Sequence, residues 1–137
     1  MRPYGSGAPL VADTSAFVRQ RELGVIERWR ATAGAGLLAS CPVAALEILA
    51  TARSERDLAE LDRALAGLSQ APVTAIVCAA ALSASRELKG QRRLPAADYL
   101  IAAAAAERGF GVLHHDRHFD LLATVLGFES VWLEPAD

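Results

Sequence analysis

Leu10-Val11-Ala12-Asp13-Thr14-Ser15-Ala16-Phe17 opens on a short apolar run, breaks at an aspartate and continues with Ala16, Phe17 and Gln20 at helical spacing. Such a segment reads as a buried strand that delivers a carboxylate into the start of a helix. The same order recurs downstream. Residues 37–41 form a second apolar run, and Pro42, suited to a first helical turn, leads a helix over 43–52. Gly111-Val112-Leu113-His114 is a third run, followed by Asp116 and a helix over roughly 119–126, and Ser130-Val131-Trp132-Leu133 is a last strand. Pro72-Val73-Thr74 reads as a minimal strand ahead of a helix over 75–88. Other helices are expected over 22–33, with Leu23, Ile26 and Trp29 on one stripe, and after the cap Ser54, where Leu58, Leu61, Leu65 and Leu68 recur. Pro95 opens another that runs through an alanine tract to Arg108 and stops at Gly109. Strand and helix alternate throughout. Alternation implies parallel pairing by right-handed crossovers, hence a three-layer α/β/α sandwich with a central, mostly parallel sheet, as a single domain over 1–137.

The composition agrees with that reading. A chain of 137 residues with 53% apolar and 22% charged types suits one core and excludes a disordered tail protein. The net charge of −2 excludes a surface that is basic all round, while leaving room for a local basic patch. Arginine outnumbers lysine 13 to 1 and alanine fills 29 positions, a bias that reads as coding-sequence composition rather than function. Cys41 and Cys78 each lie in an apolar run and are both expected to be buried thiols in a reducing compartment. Residues 1–9 lack the apolar core of a secretory signal, so a cytoplasmic location is expected. The uncharged stretch 64–85 is interrupted by Gly67, Gln70, Pro72 and Thr74, and reads as loop, strand and buried helix rather than a membrane span.

In an open parallel sheet the ligand crevice lies beyond the carboxyl ends of the strands. Asp13 and Asp116 both follow strands, Asp98 falls in the first turn after Pro95, and Glu47 is the only charge between Pro42 and Ala52. Each has an ordinary alternative. Asp13 suits a helix cap, Asp98 complements a helix dipole, Glu47 shares a thin polar face with Thr51 and Ser54, and Asp116 suits a turn. Taken together, four carboxylates from four parts of the chain strain those alternatives.

At this point the chain resembles the PIN-domain ribonucleases, and in particular the VapC-type toxins of bacterial toxin–antitoxin pairs. The resemblance covers nearly the whole chain. It rests on Val11-Ala12-Asp13-Thr14-Ser15-Ala16, on Ala45-Leu46-Glu47-Ile48, on Leu94-Pro95-Ala96-Ala97-Asp98-Tyr99-Leu100-Ile101-Ala102-Ala103, and on Leu113-His114-His115-Asp116-Arg117-His118-Phe119-Asp120. Asp-Thr-Ser alone is common, whereas the last two segments, in this order and at this spacing, are specific. The resemblance implies an acidic pocket in which Asp13, Glu47, Asp98 and Asp116 are catalytic, with Asp13, Asp98 and Asp116 binding the metal. Converging carboxylates repel and must share protons, find cations or splay apart. Oxygen ligands without cysteine select Mg²⁺ or Mn²⁺ over zinc, and such an ion suits phosphodiester hydrolysis.

Supporting residues follow from the same segments. The hydroxyl of Thr14 or Ser15 orients Asp13 or caps the helix; Asp120 joins the metal shell or a solvated face; Arg117 faces phosphate or its acidic neighbours. His114, His115 and His118 fall within five residues, but they straddle a strand end and a turn without cysteine, a poor zinc site, and are read as packing or RNA contacts. Arg86, Lys89, Arg92 and Arg93 form the densest basic stretch and are the candidate RNA contacts. The implied partners are RNA, a cognate antitoxin and a second copy of the chain, with the antitoxin expected on the early helices around Phe17, Leu23 and Trp29. Two other readings compete: the four filled acidic positions favour activity over a non-catalytic PIN domain that binds RNA or protein, and small size favours the toxin role over an RNA-maturation nuclease.

Overall fold

The computed structural model describes residues 1–89 and 93–134. In chain order the elements are β1 (Leu10–Ala12), α1 (Thr14–Phe17), α2 (Ile26–Gly34), β2 (Leu38–Ser40), α3 (Pro42–Leu49), α4 (Glu55–Ala66), β3 (Ser69–Gln70), α5 (Ala75–Glu87), α6 (Ala96–Arg108), β4 (Gly111–His114), α7 (His118–Leu126) and β5 (Ser130–Trp132). The strands form one sheet in the order β3-β2-β1-β4-β5, and every pairing is parallel.

Alternation along the strands divides the interior in two. Leu10, Ala12, Leu38 and Leu113 face one way, against Phe17 of α1, Trp29 of α2, Ile48 of α3 and Leu65 of α4. Val11, Ala39 and Val112 face the other, against Val77 of α5, Ile101 of α6 and Phe119 and Leu122 of α7. The three-layer α/β/α architecture is therefore a direct product of period-two patterning in strands buried on both sides. Ala102, Ala103, Ala104 and Ala105 are all buried, because α6 lies between α5, α7 and the sheet. Alanine permits that close approach on several sides at once.

Local chemistry sets the helix ends. The Ser54 hydroxyl accepts from Asp57 N at 3.0 Å, and the Thr74 hydroxyl accepts from Val77 N at 3.2 Å. Gly109 and Gly127 terminate α6 and α7 with φ of 72° and 70°, a left-handed conformation that costs glycine little.

The chain leaves β1 for β2 on one side and returns to β4 on the other, so the topological switch point lies between β1 and β4. Their register pairs Ala12 with Leu113, and Asp13 N donates to Leu113 O at 3.0 Å. The first acid is thereby fixed at the carboxyl edge of the sheet, next to the chain leaving β4.

Four expectations are corrected. The strand expected at Pro72-Val73-Thr74 lies instead at Ser69–Gln70; Pro72 has no N–H for a ladder, and the Thr74 side chain is committed to capping α5. The helix expected from residue 22 starts only at Ile26, after turns that include Gly24 at φ 85°. Phe17 and Trp29 are core, packed edge to face at 5.8 Å, while Leu23 of the same stripe is 97% exposed. Cys41 is buried as expected, but Cys78 is exposed on α5. Among the described residues no helix is long and apolar enough to cross a membrane.

At Gly111 the sheet leaves no room for a side chain. A Cβ there would stand 2.7 Å from the Glu129 carbonyl oxygen and 2.7 Å from Leu10 Cδ2. Gly111→Ala is expected to cost about 1–3 kcal/mol, read as a lower urea midpoint at unchanged slope. Gly34→Ala, with open space around its Cβ, is the matched substitution that leaves stability unchanged or slightly higher.

Candidate metal centre

Asp13 caps α1 from an extended conformation, φ −69° and ψ 157°. Its Oδ2 accepts from Ser15 N at 3.1 Å and from the Ser15 hydroxyl at 2.6 Å, and the residue is only 6% exposed. Ser15 Oγ in turn accepts from His115 N at 2.9 Å. One hydroxyl thus ties the end of β1 to the chain leaving β4. Thr14 has a different task, its hydroxyl donating to Glu47 Oε1 on α3 at 3.1 Å. The sequence left open which hydroxyl serves Asp13; the geometry assigns Ser15 to Asp13 and Thr14 to the exposed Glu47.

Asp116 occupies the turn between β4 and α7. Its backbone N donates to His114 Nδ1 at 3.2 Å, and its Oδ1 accepts from His118 N at 3.0 Å. Asp98 comes from the first turn of α6 and lies 2.9 Å, through Oδ2, from His118 Nδ1. The same ring nitrogen is 3.3 Å from Asp116 Oδ2. One ligand atom from each of Asp98, Asp116 and His118 falls within 4.8 Å of the others.

The Asp98 carboxyl is pushed up from its ordinary 3.8 to about 6. Desolvation is the largest cause; the His118 hydrogen bond opposes it, and the charges of Asp13 and Asp116 add to it. Asp13 therefore shares the electrostatic field of Asp98 and Asp116, although the tightest ligand cluster contains His118 rather than Asp13. Two carboxylates and an imidazole at ligand spacing, with a third carboxylate adding repulsion, suit a divalent cation.

Behind the turn, His114 is fully buried between Phe119 and Trp132, at ring distances of 5.1 and 5.0 Å. Burial lowers its pKa to about 4, against the opposing charges of Asp120 and Asp116, so the ring is neutral at pH 7. Because Nδ1 accepts from Asp116 N, the ring proton sits on Nε2, which donates to Ser130 Oγ at 2.7 Å. Ser130 Oγ donates to Asp120 Oδ1 at 2.7 Å, and Trp132 Nε1 donates to Asp120 Oδ2 at 2.9 Å. Both oxygens of Asp120 are thus engaged on the β5 side, and its carboxylate anchors the Asp116 turn from behind.

Arg117 is exposed at the start of α7. Arg86, Lys89 and Arg93 are brought together around one shallow cavity of about 490 Å³, which also includes Tyr99, the residue after Asp98. Arg92, named with them from the sequence, lies outside the described residues. The contacts of His118 with Asp98 and of His114 with Ser130 were not foreseen; the only sequence signal was the clustering of three histidines around Asp116.

Comparison with known proteins bears on this geometry. The PIN domain profile matches residues 10–125. Ribonuclease VapC18 of Mycobacterium tuberculosis is 35% identical over 128 residues, spanning 90% of this chain and 93% of that protein. Ribonuclease VapC51 of the same organism is 36% identical over 126 residues, spanning 90% and 92%. Among solved structures, the DNA-bound VapBC from Salmonella typhimurium superposes with a TM-score of 0.75 at 18% identity, covering 93% of this chain and 99% of the other. VapBC-5 from Mycobacterium tuberculosis gives 0.67 at 22% identity, covering 91% and 98%. These superpositions show a shared fold.

Asp98 makes the burial of a carboxyl in this site, with the smaller repulsion from Asp13 and Asp116, measurable without metal. The folded protein keeps this proton up to about 6, whereas an unfolded aspartate releases it near 3.8, so stability is lost as pH rises between those values. Asp98→Asn is expected to raise metal-free stability by about 1–3 kcal/mol above pH 7, the gap closing near pH 4. His114 adds an opposite slope as pH falls from 6.5 toward about 4, but it is common to both proteins and cancels in the difference. Denaturant titrations in chelator across this range check it; equal stabilities at pH 7.5 would contradict it.

Proposed function

The chain belongs to the PIN-domain family, alongside the VapC ribonucleases, and from that premise we propose that it is a divalent-metal-dependent endoribonuclease acting as the toxin of a toxin–antitoxin pair. The observation that carries this reading is the gathering of Asp13, Asp98 and Asp116 at the β1/β4 switch point, with Asp98 raised to about 6 by burial and by its acidic neighbours. Asp13, Asp98 and Asp116 hold the ion, Mg²⁺ or Mn²⁺. When bound, the ion supplies charge against the scissile phosphate and acidifies a water for attack.

The remaining roles belong to the protein. Thr14 engages Glu47 Oε1, which leaves Oε2 to take a proton from the attacking water. Ser15 holds Asp13 Oδ2 in place, and His114 holds the Asp116 backbone. Arg86, Lys89 and Arg93, around their shared cavity beside Tyr99, are suited to neighbouring RNA phosphates, and Arg117 faces solvent at the mouth of α7. Arg92 belongs to the same basic stretch.

The VapBC likenesses support an antitoxin partner. With Phe17 and Trp29 in the core, exposed Val18, Leu23 and Leu46 are what the early helices offer it. Leu46 immediately precedes Glu47, and Val18 lies one helical turn beyond Thr14, the two residues that the hydrogen bond between α1 and α3 joins. Self-association into a homodimer and a cytoplasmic location are parts of the same proposal, and light scattering measures the former.

RNA cleavage by the purified chain is expected to require Mg²⁺ or Mn²⁺ and to stop with chelator. Asp13→Asn, Asp98→Asn and Asp116→Asn are each expected to lower the rate by about a hundredfold or more with an unchanged circular dichroism spectrum. Activity surviving all three overturns the assignment. Expression in a bacterial host is expected to arrest growth, and co-expression of the partner to relieve it.

A further inference from the structure

His118 stands where none of the roles above places it. Its Nδ1 faces two carboxylate oxygens, Asp98 Oδ2 at 2.9 Å and Asp116 Oδ2 at 3.3 Å. An octahedral ion with bonds of about 2.1 Å has neighbouring ligand atoms about 3.0 Å apart. The separations of Nδ1 from the two oxygens come close to two such edges, and one ligand atom from each of the three residues falls within 4.8 Å of the others. The backbone reinforces the placement. His118 N donates to Asp116 Oδ1, so the start of α7 fixes the ring and the carboxylate relative to each other.

The neighbouring histidines are committed elsewhere. His114 uses Nδ1 to accept from Asp116 N and Nε2 to donate to Ser130. His115 is exposed and packs edge-on against Trp132 at 5.8 Å. Only His118 turns a ring nitrogen to the carboxylate pair among the described residues.

We infer that His118 supplies, through Nδ1, a nitrogen ligand to the ion held by Asp98 and Asp116, and that the site consequently takes Mn²⁺ in preference to Mg²⁺. The inference rests on the metal-dependent reading given above and extends it to a residue and a metal preference. Ionised carboxylates only accept, so in the metal-free protein Nδ1 carries the proton that bridges to Asp98. Binding through Nδ1 requires the neutral ring with its one proton on Nε2, so as the Nδ1 proton leaves to solvent Nε2 holds or takes up a proton, and no electron transfer is involved. Mg²⁺ demands oxygen donors and dehydrates reluctantly, whereas Mn²⁺ accepts a mixed set of imidazole and carboxylate.

Pulsed electron paramagnetic resonance on the Mn²⁺-loaded protein, with ¹⁵N-histidine labelling, reads the bond directly. Nitrogen hyperfine coupling of a coordinated imidazole is expected in the native chain and absent in His118→Gln and His118→Asp. Calorimetry is expected to show Mn²⁺ favoured over Mg²⁺, and that preference reduced about tenfold in His118→Asp, which restores an all-oxygen set. Mn²⁺ binding without nitrogen coupling, or coupling that persists in both variants, overturns the inference and leaves the carboxylate site standing. A protein that binds neither ion overturns the metal reading as well.

Discussion

Parallel pairing of β1 with β4 fixes two carboxylates, Asp13 and Asp116, whose charges both act on Asp98. Because Ala12 pairs with Leu113, Asp13 and the Asp116 turn must leave the sheet side by side at its carboxyl edge. Asp98 is delivered to the same place by α6, whose alanine face lets the helix lie deep between its neighbours. Hydrophobic burial across the two faces of the sheet makes this convergence compulsory. A strand slipped by one residue would turn Val11 and Val112 to the wrong layer.

Much of the polar structure around the site restrains the groups that carry this repulsion. Ser15 gives Asp13 two hydrogen bonds and receives one from His115, so β1 and β4 are joined by a polar bridge just past their last pairing. On the far side, the run from Asp116 N through His114 and Ser130 to Asp120, completed by Trp132, fixes the turn against β5. Each donor there has one acceptor, which sets the His114 tautomer. A fully satisfied network of this kind gives the turn one conformation in a setting where an unpaired polar group would be costly. Asp120 thus supports the site from a distance of one hydrogen-bonded relay.

The positions of Asp13, Asp98 and Asp116 were legible because they depend on strand ends and helix starts, which follow from apolar runs broken by Asp, Pro and Gly, whereas Glu47 stood out only as the lone charge of α3. β3 was placed three residues late for a physical reason. It has two residues, Ser69 and Gln70, both exposed, and its pairing is dictated by the edge of β2 rather than by its own pattern. The stripe of Leu23, Ile26 and Trp29 illustrates a different limit: periodicity shows that a face is apolar, while packing decides whether a partner or the core covers it. Contacts such as His118 to Asp98, twenty positions apart, depend on how α6 meets α7. No local spacing encodes that meeting.

The central claim is that one shared acidic pocket stores repulsion which a divalent ion relieves. The thermal midpoint under added Mg²⁺ or Mn²⁺, compared with sodium chloride at matched ionic strength, tests it most directly. At a hundredfold excess over the dissociation constant, binding stabilises the fold by about 2.7 kcal/mol, a rise of roughly 5–10 °C for a domain of this size. Scattered surface acids would respond only to screening. The account predicts the divalent shift in the native chain and a blunted one in Asp116→Asn; equal shifts with the divalent ion and with sodium would contradict it.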